Sequence, residues 1–142
     1  MKKDDVSADI KKILTTYRTV AVVGASPNPE RPSYRVADFL KKEGFRVIPV
    51  TPNADNIVGE KAYPDLASIP VPVEVVDIFR RPEDVPPIVD EAIAIGAKAV
   101  WMQEGIVNEE AAAKARKAGL TVVMDHCMSK ELLRRLSREK EI

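Results

Sequence analysis

A glycine loop that leads into a helix is the first segment of this chain whose residue types suit the binding of an anion. Residues 19–39, TVAVVGASPNPERPSYRVADF, contain an apolar run that ends at Gly24, then a polar loop, then apolar residues at helical spacing. Glycine permits a tight turn, and free amides at a helix start bind phosphate oxygens. The candidate phosphate ligands are Ala25, Ser26, Arg31 and Ser33. A structural alternative stays open, in which Gly24 turns the chain and Ser33 caps the helix.

A pair of adjacent arginines is the second candidate phosphate site. Arg80 and Arg81 follow an apolar run and precede Pro82, at the predicted start of another helix. Guanidinium groups bond phosphate oxygens in a bidentate manner, and a helix N-terminus favours negative charge. The alternative is surface hydration, or ion pairing with the two acidic residues that follow Pro82. Phe79 lies inside the apolar run, which is more typical of a core residue than of one that contacts a base.

Polar residues also follow the second and the fourth apolar run. They are Thr51, Pro52 and Asn53 in VTPN, and Gln103, Glu104 and Gly105 in MQEG. The first group suits an adenine and its ribose, and the second suits the hydroxyl and amide groups of a ligand, although ordinary turns are the alternative at both places. A dinucleotide site usually has an acidic residue about 20 residues beyond the glycine loop. Here the second run leads instead to the neutral Asn53.

The chain has one histidine and one cysteine, His126 and Cys127, at the end of the fifth run. A single cysteine excludes an internal disulfide, and the two residues offer too few soft ligands for a metal site. Neighbouring side chains on an extended segment point apart, which argues against a Cys–His catalytic pair. We therefore predict a structural Cys127, no catalytic residue and no metal.

Five short apolar runs and the helical stretches between them must position these residues. The predicted strands span 19–24, 46–50, 73–79, 98–102 and 121–124, and they are apolar enough to be buried on both faces. The predicted helices span 4–17, 33–44, 82–95, 109–118 and the residues from 129 onward. Asn108 is the expected cap of the fourth helix, and Leu132, Leu133 and Leu136 are expected to face inward in the last. The stretch 51–72 is predicted to be a loop with one short helical turn near 64–68.

Strands that alternate with helices indicate an α/β protein with a doubly wound, Rossmann-like fold. We expect a mostly parallel sheet of about five strands with helices on both faces. In such folds the ligand binds at the carboxyl edge of the sheet, near the point where the strand order reverses. The candidate residues above all follow strands, so this fold would gather them at one edge.

Composition limits the kinds of partner. The 142 residues are 45% hydrophobic and 31% charged, which suits one domain over residues 1–142, with an N-terminal helix within 1–18 and a C-terminal helix and tail over 129–142. The 22 basic and 22 acidic residues cancel, which argues against a general nucleic-acid or membrane binder. We expect no signal peptide and no membrane span. The single cysteine is typical of the reducing cytoplasm.

Five ordered segments carry a family resemblance. The runs VAVVGASPNPERPSY, VIPVTPN, VDIFRRPEDV, WMQEGI and VVMDHCM resemble those of the small stand-alone CoA-binding proteins, which are similar to the CoA-binding domain of the succinyl-CoA synthetase alpha subunit. The resemblance covers about residues 19–136 and implies a Rossmann-like fold that binds CoA or an acyl-CoA through its nucleotide half. A carboxylate would repel a 3′-phosphorylated ribose, so the resemblance also fits the neutral Asn53.

The resemblance assigns roles to residues by segment. Phosphate contacts fall to Gly24, Ala25, Ser26 and Arg31, joined by Ser33 and Tyr34. The adenosine falls to Thr51, Pro52 and Asn53. The pyrophosphate and pantetheine are flanked by Phe79, Arg80, Arg81, Pro82 and Val85, and the pantetheine path continues along Gln103, Glu104 and Gly105. His126 lies in no phosphohistidine motif, and the other parts of the synthetase are absent from these 142 residues, so we expect no ligase activity of this chain alone.

The resulting hypothesis is a non-catalytic carrier, sensor or accessory protein that binds CoA. An NAD(P)-binding Rossmann enzyme or redox sensor is the main alternative, supported by Gly24 but opposed by the missing glycines and acid. A mixed disulfide between Cys127 and CoA stays open if the thiol lies near the pantetheine. A purely structural role, with a terminal segment binding another protein, stays open as well.

Overall fold

A computed structural model describes residues 2–141, and it describes the side chains of residues 6–139. The helices are α1 (Lys2–Thr16), α2 (Pro32–Lys42), α3 (Val85–Ala94), α4 (Glu109–Lys117) and α5 (Met128–Glu141). The strands are β1 (Thr19–Val23), β2 (Arg46–Val50), β3 (Asn56–Ile57), β4 (Glu60–Lys61), β5 (Val75–Ile78), β6 (Ala99–Met102) and β7 (Thr121–Val123). Two short 3-10 turns, Leu66–Ser68 and Pro82–Asp84, complete the regular structure.

Five strands form one sheet in the order β2-β1-β5-β6-β7, and every neighbouring pair is parallel. The chain moves from β1 outward to β2 and then returns to the other side of β1 to add β5, β6 and β7. The strand order therefore reverses between β1 and β5. This is the doubly wound, Rossmann-like α/β architecture that the sequence predicts.

Helices cover both faces of the sheet. One apolar core lies beneath α1, α2 and α5 and takes Val20 and Val22 from β1, whereas the other lies beneath α3 and α4 and takes Ala21 and Val23. Alternate residues of one strand thus enter opposite cores, which explains why the strands are apolar throughout. Within residues 2–141, no helix has both the length and the apolar character needed to cross a membrane.

The segment between β2 and β5 differs from its predicted structure. The short turn near 64–68 is confirmed as a 3-10 turn, in which the Asp65 carboxylate accepts from the Ser68 amide at 2.9 Å. The predicted loop also contains an antiparallel hairpin of β3 and β4, joined by Val58 and Gly59 with φ angles of 50° and 78°. Valine rarely adopts a positive φ, so the turn lacks the usual hairpin signature. The Nζ of Lys41 donates to the Val58 carbonyl at 2.7 Å, which holds the turn from α2.

Helix termini follow the prediction with three corrections, the first being that α3 begins at Val85, after the 3-10 turn Pro82–Asp84, and not at residue 82. Asn108 caps α4 as predicted, because its Oδ1 accepts from the Ala111 amide at 2.9 Å. Ser33 does not cap α2: Arg31 occupies that position without a side-chain bond, because Pro32 is the first helical residue. The last helix begins at Met128, one residue earlier than predicted. Within the last helix, the prediction that Leu133 faces inward is wrong, because this residue is 53% exposed.

Candidate functional site

A cavity of about 870 Å³ lies at the carboxyl edge of the sheet, where the strand order reverses. Residues that follow β1, β2, β5, β6 and β7 form its floor and sides, and the first turns of α2 and α5 close it from one face. This is the position at which parallel doubly wound folds bind ligands. The fold thus gathers segments that are far apart in the sequence.

Twelve of the residues singled out from the sequence line this cavity. They are Gly24, Ala25, Ser26, Arg31, Ser33, Thr51, Asn53, Phe79, Arg80, Arg81, Gln103 and Glu104. Arg31, on the helix after β1, and the arginine pair after β5 therefore face one space.

Five other predicted residues lie outside the cavity wall. Val85 is fully buried in the core beneath α3, and Tyr34 packs half-buried against the core on the opposite face. Pro52 and Pro82 are exposed, and the Gly105 amide is engaged by the carboxylate of Asp125 at 2.7 Å. The assigned contacts of these five residues with a ligand have no support from their positions.

Gly24, directly after β1, lies against Phe79 and Arg80, the two residues that follow β5. Its φ is +86°, in the left-handed region that disfavours residues with a Cβ. A Cβ at this position would lie 2.4 Å from the carbonyl oxygen of Phe79 and 3.0 Å from the Cδ of Arg80. The glycine therefore permits both the turn and the contact between the two segments that border the cavity.

Two backbone amides in the glycine loop and at the start of α2 have no acceptor among the described residues. They belong to Ser26 and Ser33, both of which line the cavity. The Ala25 amide, also a predicted phosphate ligand, instead donates to the Val50 carbonyl at 3.3 Å. The same carbonyl accepts from the Gly24 amide at 3.0 Å. An anion in the cavity would thus find two open N–H donors, one of them at the positive end of an 11-residue helix.

Four arginines line the cavity, but they are not equally available. Arg80 and Arg81 both bond to Asp84, at 3.3 Å and 3.2 Å, which is the pairing that the sequence left open as an alternative. The Arg81 guanidinium, followed by that of Arg80, lowers the pKa of the Asp84 carboxyl. Arg31 and Arg35 form no ion pair with the side chains described, those of residues 6–139, and both are exposed. The first turn of α2 therefore carries the unneutralised positive charge.

The other end of the cavity is built around the start of α5. Gln103 is buried, and its Oε1 accepts from the Met128 amide at 3.2 Å, so this side chain caps the helix. Glu104 pairs with Lys130 at 3.0 Å across the rim. The Sγ of Cys127 lies 3.3 Å from the Ser129 hydroxyl, and both residues line the cavity. No group of three or more potential metal ligands converges anywhere in the described part of the chain.

Asp77 is a buried carboxyl group in the middle of β5. It is fully inaccessible, and neither of its oxygens has a hydrogen-bond partner in residues 2–141. Its register neighbours on β1 and β6 are Val22 and Trp101, and it points to the side of the sheet that α5 covers. Burial raises the pKa of the Asp77 carboxyl well above its usual value, and the nearby Cys127 adds to the rise.

We expect Asp77→Asn to remove a pH-dependent loss of stability. The folded-state pKa of Asp77 is raised above the unfolded value, so the folded protein retains a proton that the unfolded chain releases. The free energy of unfolding of the wild type should fall as the pH rises above about 4, at about 1.4 kcal/mol per pH unit, until the raised pKa is passed. Urea unfolding between pH 4 and pH 8 measures the free energy of unfolding of the wild type and of Asp77→Asn, and we expect this fall with pH in the wild type only.

The matched control is Asp55→Asn, because Asp55 is exposed. We expect the difference between this variant and the wild type to stay nearly constant over the same pH range. A constant difference for Asp77→Asn as well would show that the Asp77 carboxyl is not perturbed in the folded protein.

Several residues of the cavity wall were missed by the sequence prediction. They are Pro27, Pro32, Arg35, Val36, Ile106, Ser129 and Lys130, and Cys127 was predicted to be structural. Arg35 lies one helical turn after Arg31, and this i, i+4 spacing is a signal that could have identified it. The contribution of α5 follows from its packing beside α2, which no local pattern reveals.

Comparison with known proteins finds one matching family and several similar proteins. The family model described as CoA binding domain matches residues 18–132. The chain is 40% identical over 121 residues to the uncharacterized protein YneT of Bacillus subtilis, covering 85% of this chain and 90% of that protein. It superposes on a hypothetical protein from Pyrococcus horikoshii OT3 with a TM-score of 0.87 and 44% identity, over 91% of each chain.

A longer relative has an enzymatic name. The chain is 34% identical over 113 residues to acetate–CoA ligase (ADP-forming) II of Archaeoglobus fulgidus, a match that covers 77% of this chain. It spans only 17% of that ligase. The similarity therefore concerns one part of the enzyme.

Proposed function

We propose that this chain, which belongs to the CoA binding domain family, binds CoA or an acyl-CoA in the cavity at the carboxyl edge of its sheet. The observation that carries the proposal is the single cavity that joins the glycine loop to four arginines, two of which have no acidic partner in residues 2–141. CoA carries a pyrophosphate and a ribose 3′-phosphate, so it is a strongly anionic ligand. Local positive potential on a chain with equal numbers of acidic and basic residues suits such a ligand.

The phosphates are assigned to the start of α2. The amides of Ser26 and Ser33, which have no acceptor among the described residues, belong to the part of the cavity wall that also contains Arg31 and Arg35. Amides at a helix N-terminus bind anionic oxygens through hydrogen bonds and the helix dipole. Arg80 supplies further charge after partial neutralisation by Asp84.

The nucleoside and the pantetheine are assigned to opposite sides of the phosphates. Thr51 and Asn53, at the end of β2, offer polar groups for the adenosine. Gln103, Ile106 and Cys127 form a wall of mixed polarity that suits the pantetheine amides and its methylene groups. This arrangement places the thiol or acyl end near α5.

The proposed role is that of a non-catalytic carrier, sensor or accessory protein. The titratable groups around the pantetheine end are largely engaged: Glu104 pairs with Lys130, and His126 pairs with Glu131 at 3.2 Å. Neither pair offers a nucleophile held by a neighbouring base. A bound acyl-CoA would thus be retained and presented to another protein, without reacting in this cavity.

A calorimetric titration of CoA, NAD(H) and NADP(H) into the purified protein tests the proposal. We expect saturable binding of CoA and binding of the nicotinamide nucleotides that is weaker by at least about tenfold, which corresponds to about 1.4 kcal/mol. The reason is that the cavity offers cations for a 3′-phosphate, whereas its wall at the end of β2, where the ribose diol of a dinucleotide would lie, carries Thr51 and Asn53 in place of an acidic residue. No CoA binding at millimolar concentration, or a preference for NAD(H), would reject the proposal.

A further inference from the structure

We propose that Cys127 is a site of reversible covalent modification. Its thiol exchanges with CoA disulfide, and the protein retains one CoA as a mixed disulfide. This inference rests on the proposed function, because the cavity must first admit the pantetheine end of CoA. It gives the buried thiol a chemical role in place of the structural one that the sequence predicts.

The surroundings of Cys127 restrict its reaction partners. Its residue is only 9% exposed, yet it lines the cavity, so a reagent must reach the sulfur through the ligand site. The sulfur immediately precedes the 14-residue helix α5, whose N-terminus favours a negative charge. Ser129 lies 3.3 Å from the sulfur and can hydrogen-bond to it. The sulfur is thus within hydrogen-bond distance of the first turn of α5, at a residue that lines the cavity.

The unpartnered carboxyl of Asp77 is the second observation that marks this place. A buried carboxyl without a hydrogen bond destabilises a protein, and such groups are concentrated at functional sites. Its register neighbours Val22 and Trp101 do not titrate, so Cys127 is the titratable group that acts on it.

The other charged groups near Cys127 are already paired. On α5, Lys130 binds Glu104, and Glu131 binds both His126 and Arg134. None of these pairs involves the sulfur or Asp77. Asp77 is therefore the ionisable side chain beside this thiol that lacks a hydrogen-bond partner among the described residues.

The second sulfur of the proposed bond must come from the ligand, because the chain contains one cysteine. The Cys127 thiol loses its proton to water, and the thiolate attacks one sulfur of CoA disulfide. A new Sγ–S bond forms as the S–S bond of the reagent breaks, and the departing CoA thiolate takes up a proton. The reagent is itself the oxidant. With no second cysteine to resolve it, the mixed disulfide persists until an external thiol attacks.

Intact-mass spectrometry of the folded protein, treated with CoA disulfide or glutathione disulfide, tests the inference. We expect one adduct with the mass of CoA less two hydrogen atoms, lost on reduction, and formed at least about tenfold faster than the glutathione adduct. In urea the same protein should lose this preference, since the cavity is gone. Cys127→Ser should form no adduct.

Separate results distinguish this inference from the proposed function. Calorimetric CoA binding to the reduced wild type without any adduct would overturn the covalent step and keep the binding proposal. Equal rates with both disulfides would show a generic thiol and also overturn it.

Discussion

Gly24→Ala should destabilise the protein and abolish its affinity for CoA. Gly24 has a φ of +86°, and an added Cβ would lie 2.4 Å from the Phe79 carbonyl oxygen. That oxygen is a backbone atom directly after β5, and the amide of the same residue, Phe79, donates to the Val23 carbonyl at 2.8 Å. Relief of the overlap would therefore separate the ends of two central strands at the place where the cavity begins.

The expected loss of stability is about 2–4 kcal/mol, from a left-handed alanine and from the displaced strand end. Urea unfolding measures this loss, and calorimetry with CoA measures the loss of binding under conditions where the variant stays folded. We expect the affinity to fall even there, since the Ser26 amide and the arginines on the two segments would move apart.

The matched control is Gly44→Ala. Gly44 also has a positive φ, +98°, but a Cβ there meets no atom within 4 Å, and the residue follows α2 at the opposite end from the cavity. This variant should lose only about 1 kcal/mol and should bind CoA as the wild type does. Equal losses of stability in the two variants would show that the contact between Gly24 and Phe79 is unimportant.

Removal of the two unpaired arginines at the start of α2 should weaken CoA binding by about 10- to 100-fold. We expect this for the double variant Arg31→Gln, Arg35→Gln, because charge-assisted bonds to phosphate are worth about 1.5–3 kcal/mol before screening by solvent. Neither side chain has an ion pair among the described residues, so their loss leaves no unpaired carboxylate in the protein. Stability should thus change by less than about 0.5 kcal/mol.

Calorimetry at two salt concentrations checks the electrostatic origin of the effect. The wild-type affinity should fall with added salt, and the affinity of the double variant should fall less steeply. Arg46→Gln is the control, because Arg46 is exposed at the amino end of β2, on the edge of the sheet away from the cavity. An Arg46 variant that weakens binding as much as the double variant would contradict the placement of the phosphates.

The sheet could be predicted because the pattern that specifies each of its strands lies within a few consecutive residues. Each strand that enters it is a short run of apolar residues, and its helices carry apolar faces, so the two periods are visible in the sequence. The hairpin of β3 and β4 could not be predicted in this way. It is closed by Val58 at a positive φ and held by Lys41, which also pairs with Glu60 at 2.9 Å. Contacts from another element override the local preference.

The site was predicted as a set of residues that follow strands, whereas the cavity wall also includes residues from the first turns of α2 and α5. Arg80 and Arg81 face the cavity as expected, yet their shared partner Asp84 weakens their charge, and this depends on a turn geometry that spacing alone does not specify. Arg35 lies four residues after Arg31 in the sequence, but its place in the cavity wall depends on how the first turn of α2 packs beside the glycine loop. Asp77 stands inside an apolar strand, and its isolation depends on neighbours supplied by β1 and β6.

A crystal structure of the protein with CoA tests the central claim most directly. The account predicts the pyrophosphate at the amides of Ser26 and Ser33 with Arg31 or Arg35 in contact, and the pantetheine running past Gln103 toward Cys127. CoA bound outside this cavity, or a saturated complex in which no phosphate approaches the start of α2, would contradict it.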